Sequence, residues 1–278
     1  MLVGAIAAAA SAVAMAAGAP AHDAAARQKV DANPCVGPKA AKLRCPDLVI
    51  KRPYGMYAEH LNGHVRLRAG NSIDSVGGGP VELHGVRSSP RYMHGRQRIY
   101  KVGGGRISVK TGARLQYKLA HEHKRWWKFF HANRFELWRL DHDGHRTKRV
   151  RVGPKMSYCL RDLERTRPRL KRSPRKEVYP ACSTFPGKKQ VTLGTSIGWS
   201  DIYPPTYPEQ WIDVTGLRGC FAYAFKVDPL NGIYESNENN NESQVIVRLP
   251  WKGRGNRGCP GHSRGPSNKG SSPHEVHY

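Results

Sequence analysis

Two histidines one residue apart, His121 and His123, open the segment H-E-H-K-R-W-W-K-F-F-H-A-N-R-F-E-L-W-R-L at residues 121–140. A neutral imidazole offers a lone pair to a transition metal, and histidine is the commonest metal ligand among side chains. On a β-strand alternate side chains share a face, so His121, His123 and Arg125 point one way while Glu122, Lys124 and Trp126 point the other. Two imidazoles on one face make half a metal site, and His131 or His142, brought round by the chain, would add to it. The competing reading of each histidine is ordinary surface placement.

Other segments offer pieces of chemistry without completing them. Asp141-His142-Asp143-Gly144 has the opening of a calcium loop but not its length or closing Glu, and reads as a turn between strands. Gly103-Gly104-Gly105-Arg106 lacks the Gly-Lys-Ser/Thr that a phosphate loop needs, and reads as a hairpin turn. Cys259-Pro260-Gly261-His262 and His274-Glu275-Val276-His277 have metal-ligand spacing only in fragments. Asn241-Glu242-Ser243 fits an N-glycosylation acceptor, which matters only in a pathway that glycosylates.

Three stretches carry a resemblance to the lysyl oxidase family. The first is the histidine-rich segment followed by Arg134-Phe135-Glu136-Leu137, which resembles that family's copper signature of three histidines at alternate positions. Aligned on Trp126 and Glu136, the chain matches at His123 and carries Arg125 and Trp127 at the other two histidine positions. The second is Gly153-Pro154-Lys155-Met156-Ser157-Tyr158-Cys159-Leu160, in which Lys155 falls on the family's quinone-forming lysine. The third is Tyr203, eight residues before Trp211-Ile212-Asp213, which falls on the tyrosine that becomes the cofactor. Glu235-Ser236 and Asn240-Asn241 add a last likeness, so the resemblance spans residues 121–249.

The resemblance implies an all-β catalytic domain and a copper amine oxidase with a lysine tyrosylquinone made from Lys155 and Tyr203. Its reaction would be oxidative deamination of primary amines, on protein lysines or small molecules, to aldehydes with oxygen. The implied copper ligands are His123, with His121 and His131 as replacements for the two missing histidines. Arg125 cannot serve, because a guanidinium keeps its proton and repels a cation. A relative without the oxidase chemistry, binding through its basic loops, is the alternative.

The elements that must position these residues read as strands. Short runs of alternating apolar and polar residues lie at 48–50, 64–68, 81–86, 97–102 and 106–110, punctuated by Gly77-Gly78-Gly79-Pro80 and Gly103-Gly104-Gly105. Further runs at 135–140, 149–152, 190–193, 210–215, 220–227 and 244–249 continue the pattern, with Asn231-Gly232 as a turn signal. The expected fold is all-β, a two-sheet β-sandwich with long basic loops over residues 46–250. Pro168 and Pro174 exclude a regular helix from the basic run between Asp162 and Lys176.

Residues 1–21 carry no charge and end on Ala19-Pro20-Ala21, as an export signal cut near Ala21 would, although no Lys or Arg precedes the apolar part. Residues 22–45 read as a lead-in, and 251–278, poor in apolar residues, as a disordered basic tail. No later stretch is long and apolar enough to span a membrane. Six cysteines in an exported chain point to disulfides. Local loop closure favours Cys35 with Cys45 and Cys159 with Cys182, leaving Cys220 for Cys259. Lys and Arg total 46 against 21 Asp and Glu, a net charge of +25. That charge calls for an anionic partner, with extracellular or cell-envelope polymers ahead of nucleic acid, for which no recognition motif is present.

Overall fold

The computed structural model describes residues 29–119, 124–253, 256 and 258–267. The segment read as an export signal, and His121 and His123, lie outside the described residues. Sixteen strands follow one another: β1 (Leu43–Arg44), β2 (Leu48–Ile50), β3 (Tyr54–Leu61), β4 (His64–Ser75), β5 (Val81–Arg87), β6 (Tyr92–Lys101), β7 (Arg106–Leu119) and β8 (Arg125–Phe130) in the first half, then β9 (Asn133–Leu140), β10 (Arg146–Val152), β11 (Ser157–Tyr158), β12 (Gln190–Thr195), β13 (Ser200–Tyr203), β14 (Trp211–Asp213), β15 (Gly219–Val227) and β16 (Glu242–Leu249). One turn of 3-10 helix, Ala40–Lys42, precedes β1. The chain is all-β, and no helix among the described residues is long and apolar enough to cross a membrane.

Three antiparallel sheets share one core. The first runs β11-β8-β7-β6-β5-β12 with β1 on β6, the second runs β10-β9-β15-β16, and in the third β4 pairs with β13, β14, β2 and β3. Alternation explains the layering. Along β6, Met93, Gly95, Gln97 and Ile99 are buried while the residues between them are half-exposed. The distal part of β4 is buried at every position, with β2 and β13 paired along its two edges. Leu83, Leu115 and Trp127 from the first sheet meet Phe135, Tyr223 and Phe225 from the second and Leu67, Ile73 and Tyr203 from the third.

Gly103–Gly105 turns β6 into β7, with Gly104 and Gly105 at positive φ, and 141–144 turns β9 into β10. The strands outrun their sequence signals, since β7 reaches Leu119 and β4 reaches Ser75. β3 carried no such signal: its burial is irregular, and its place is set by pairing with β4.

All six cysteines pair, Cys35–Cys45, Cys159–Cys182 and Cys220–Cys259, as local closure indicates. Closing loops of 10, 23 and 39 residues, each contributes about 3 to 4 kcal/mol in the chain-entropy picture. The third bond ties the C-terminal stretch to β15. From there Arg264 exchanges two backbone hydrogen bonds with Gln244 of β16, and the Gln244 side chain donates to the His262 carbonyl at 2.8 Å.

Candidate functional site

Lys155 and Tyr203 meet in the interior. Lys155 sits in the connection between β10 and β11, and Asn133 donates from Nδ2 to its carbonyl at 3.3 Å. Gly153, two residues earlier, passes so close to Trp211 that a Cβ there would lie 2.6 Å from its carbonyl oxygen. The backbone is thereby drawn inward, and Lys155 ends 1% exposed. On β13, Asp201 and Tyr203 share a face by the period of two, and register with Ile73 and Asn71 of β4 turns that face toward Lys155.

The Lys155 Nζ lies 4.1 Å from the ring centroid of Tyr203, 4.0 Å from that of Tyr207 and 5.2 Å from that of Tyr158. The rings pack on one another, Tyr158 to Tyr203 at 4.4 Å and Tyr203 edge-on to Tyr207 at 4.9 Å. Hydrogen bonds fix them. The Cys159 backbone N–H donates to the Tyr203 hydroxyl at 3.2 Å, and Gln210 Nε2 donates to the Tyr203 carbonyl at 3.2 Å and to Asn71 Oδ1 at 2.6 Å. Asn71 in turn donates to the Tyr158 hydroxyl.

A second buried lysine joins them. Lys128 of β8 donates to the Tyr207 hydroxyl at 3.2 Å. Burial drives its pKa down to about 8, against the pull of the Asp201 and Glu209 charges. Lys155 is held well below the ordinary lysine range, first by burial and then by the charge of Lys128. Asp201 is raised to about 6 by burial, while Arg161, Lys155 and Lys128 and a hydrogen bond from Tyr203 pull it back. One Asp201 oxygen, Oδ2, has no hydrogen-bond partner among the described residues. Beside Lys128 a cleft of about 160 Å³ opens, walled by Leu119, Ser157, Tyr207 and Pro208. Lys118 and Glu209 also line it, paired at 2.9 Å.

The metal side differs. Arg125 is exposed, and Trp127 is buried with its Nε1–H donating to the Phe185 carbonyl at 3.1 Å and its ring 5.2 Å from that of Tyr117. Neither side chain has a lone pair to give, and both point away from the face of β8 that carries Lys128. His131 stands at positive φ in the β8–β9 turn, against Phe130. Burial holds its pKa down, and the Arg114 and Arg134 charges add to that and oppose a cation. His142 is exposed beside Asp143 at 3.2 Å. Among the described residues, the one cluster of metal-type side chains is Asp141, Asp143 and His145 on the β9–β10 turn, where Asp141 already accepts the backbone N–H groups of Asp143 and His145. The described residues do not fit copper: no donor set converges on Tyr203.

Sequence reasoning brought Lys155 and Tyr203 together but missed Lys128, Asp201 and Tyr207. A signal for Lys128 was present, a lone cation inside the apolar run Trp126-Trp127-Lys128-Phe129-Phe130.

Fold and site together define an all-β, disulfide-bonded protein built around a buried lysine–tyrosine cluster. A model of the lysyl oxidase family matches residues 89–254, more than half of the chain, and the chain belongs to that family. No curated protein matches it.

Proposed function

We propose that this chain is an extracellular, non-oxidising member of the lysyl oxidase family that binds anionic cell-envelope or extracellular polymers through its basic surface. The observation that carries this reading is Lys128, an ammonium buried beside Tyr207 and Lys155 where its charge opposes a dication. Arg125 and Trp127 at the family's histidine positions support it, as do three disulfides, which persist in oxidising compartments. The binding surface would be the exposed cations of β10, Lys148, Arg149 and Arg151, with Arg169, Lys171, Arg172, Arg175 and Lys176 on the long loop. Such a surface attracts polyanions and loses its hold as salt rises.

A second reading is copper-dependent oxidation of primary amines, favoured by the 4.1 Å approach of Lys155 Nζ to the Tyr203 ring. The lysine tyrosylquinone would supply an electron sink for the amine's α-carbon. One preparation tests both: expression with copper, metal analysis, and peptide mapping around Lys155 and Tyr203. Intact peptides, no bound copper, and salt-sensitive binding to an anionic polysaccharide are the expected results. A Lys155–Tyr203 crosslink with bound copper would overturn the first reading and establish the second, and a preference for duplex DNA over the polysaccharide would redirect the partner.

A further inference from the structure

We infer that the cleft beside Lys128 is a capture site for short aliphatic aldehydes, which condense with the Lys128 amine to form an imine. Three features converge on this amine. It is 6% exposed yet lines a cleft, so a ligand reaches it without an unfolding step. The walls at Leu119, Pro208 and the Tyr207 ring are apolar, and about 160 Å³ suits a chain of a few carbons. A lysine desolvated in this way beside another cationic group is the standard means of making an amine nucleophilic near neutral pH, and Lys118, across the same cleft, is that second group.

The other two amines nearby are less suited. Lys118 is held by both Glu209 oxygens, at 2.9 and 3.0 Å, and Lys155 lies behind three tyrosine rings and does not line the cleft.

The step balances without an oxidant. The Nζ lone pair attacks the carbonyl carbon, the carbonyl oxygen takes a proton, and the carbinolamine loses one water as the nitrogen gives up its proton, leaving a C=N bond. The Tyr207 hydroxyl, 3.2 Å from Nζ, stands where a proton could be handed to the departing oxygen. Asp201 offsets the positive charge of a protonated imine. None of this depends on whether the chain oxidises amines.

The test uses the full chain at pH 7 with substoichiometric butanal and cyanoborohydride, which reduces the imine to a stable secondary amine. Peptide mapping then reads the rate of alkylation at each lysine. Lys128 is expected to react at least about tenfold faster than exposed Lys148 and Lys171, because at a pKa of about 8 far more of it is unprotonated. Lys128→Arg should abolish the fast phase and leave the slow one. Alkylation of Lys128 no faster than the surface lysines in the unaltered chain would overturn the proposal. So would a fast phase that persists in Lys128→Arg.

Discussion

The two sides of the candidate site stand in contrast in this chain. On the side built from the 153–159 segment and β13, the lysine and tyrosine that the sequence singled out come together, with Lys155 Nζ 4.1 Å from the Tyr203 ring centroid. The side built from β8 instead presents an exposed guanidinium, a buried indole and a buried ammonium. The two sides share one seam, since β11, within the 153–159 segment, pairs with β8. Pairing of β13 with β4 and the Cys159 N–H fix Tyr203, whereas β8 is placed by β7 and β11. Because side chains alternate along β8, the face that carries Arg125 and Trp127 can differ in chemistry while the strand keeps its pairing with β11 and its Lys128 contact with Tyr207.

The largest effect that would break this comparison is on Asp201. It is the buried carboxylate facing both lysines, and Asp201→Ala should cost about 4 kcal/mol in chemical denaturation, because buried positive charge loses its compensation. A loss under about 1 kcal/mol would mean that neither lysine is charged in the folded protein.

Next comes pH. Lys128 titrates near 8 when folded, below the ordinary lysine value, so between about pH 8 and 10.5 the unfolded chain binds more protons and stability rises with pH. The wild type should gain up to about 3 kcal/mol relative to Lys128→Met across that window. Parallel curves would place the Lys128 ammonium in contact with water. Asp201 works in the opposite sense: its folded pKa is raised to about 6, so its contribution is full below about pH 4 and is lost as pH rises through 6.

Restoring a family histidine sharpens the contrast. Trp127→His should cost about 2 kcal/mol, since it empties part of a packed site and removes the bond to Phe185. It should bring no copper, because that side chain faces away from Lys128; copper retained after dialysis would show that the face of β8 is not decisive. The smallest effect on stability lies at the surface, where Lys148→Ser with Arg151→Ser should change it by less than about 0.5 kcal/mol. The same pair should weaken polysaccharide binding several-fold at low salt, and unchanged binding would move the contact to the loop between Asp162 and Lys176.

Much of this was legible in the sequence, for physical reasons that also mark the limit. Alternation in β6 and the continuous apolar run of β15 give strands directly, and glycine runs give the turns. Lys155 and Tyr203 were found by motif, because each lies in a short segment with fixed spacing. Lys128 was not, because a motif counts positions and ignores which face of β8 is turned inward. Tyr207 and Asp201 were hidden similarly, as their places depend on β4, a strand distant in the chain: Asp201 by the pairing of β13 with it, Tyr207 by the hydrogen bond that Arg68 donates to its carbonyl at 2.7 Å. His131 shows the reverse error: near the signature in sequence, it is turned into the company of Arg114 and Arg134.

The covalent tether at Cys220–Cys259 has a consequence for how copies of this protein behave together. The sheet β10-β9-β15-β16 is open, and an uncovered outer strand is a template for pairing with a neighbouring molecule. On one side the residues after Cys259 lie across β16, engaging Gln244 through backbone and side chain. On the other, β10 presents Lys148 and Arg151, exposed like charges that repel a second β10, while its Arg146 reaches Gln244 of β16 at 2.7 Å. The two borders are thus guarded by different means, one by a strap and one by repulsion, so that even crowded copies can stay separate instead of growing into fibres.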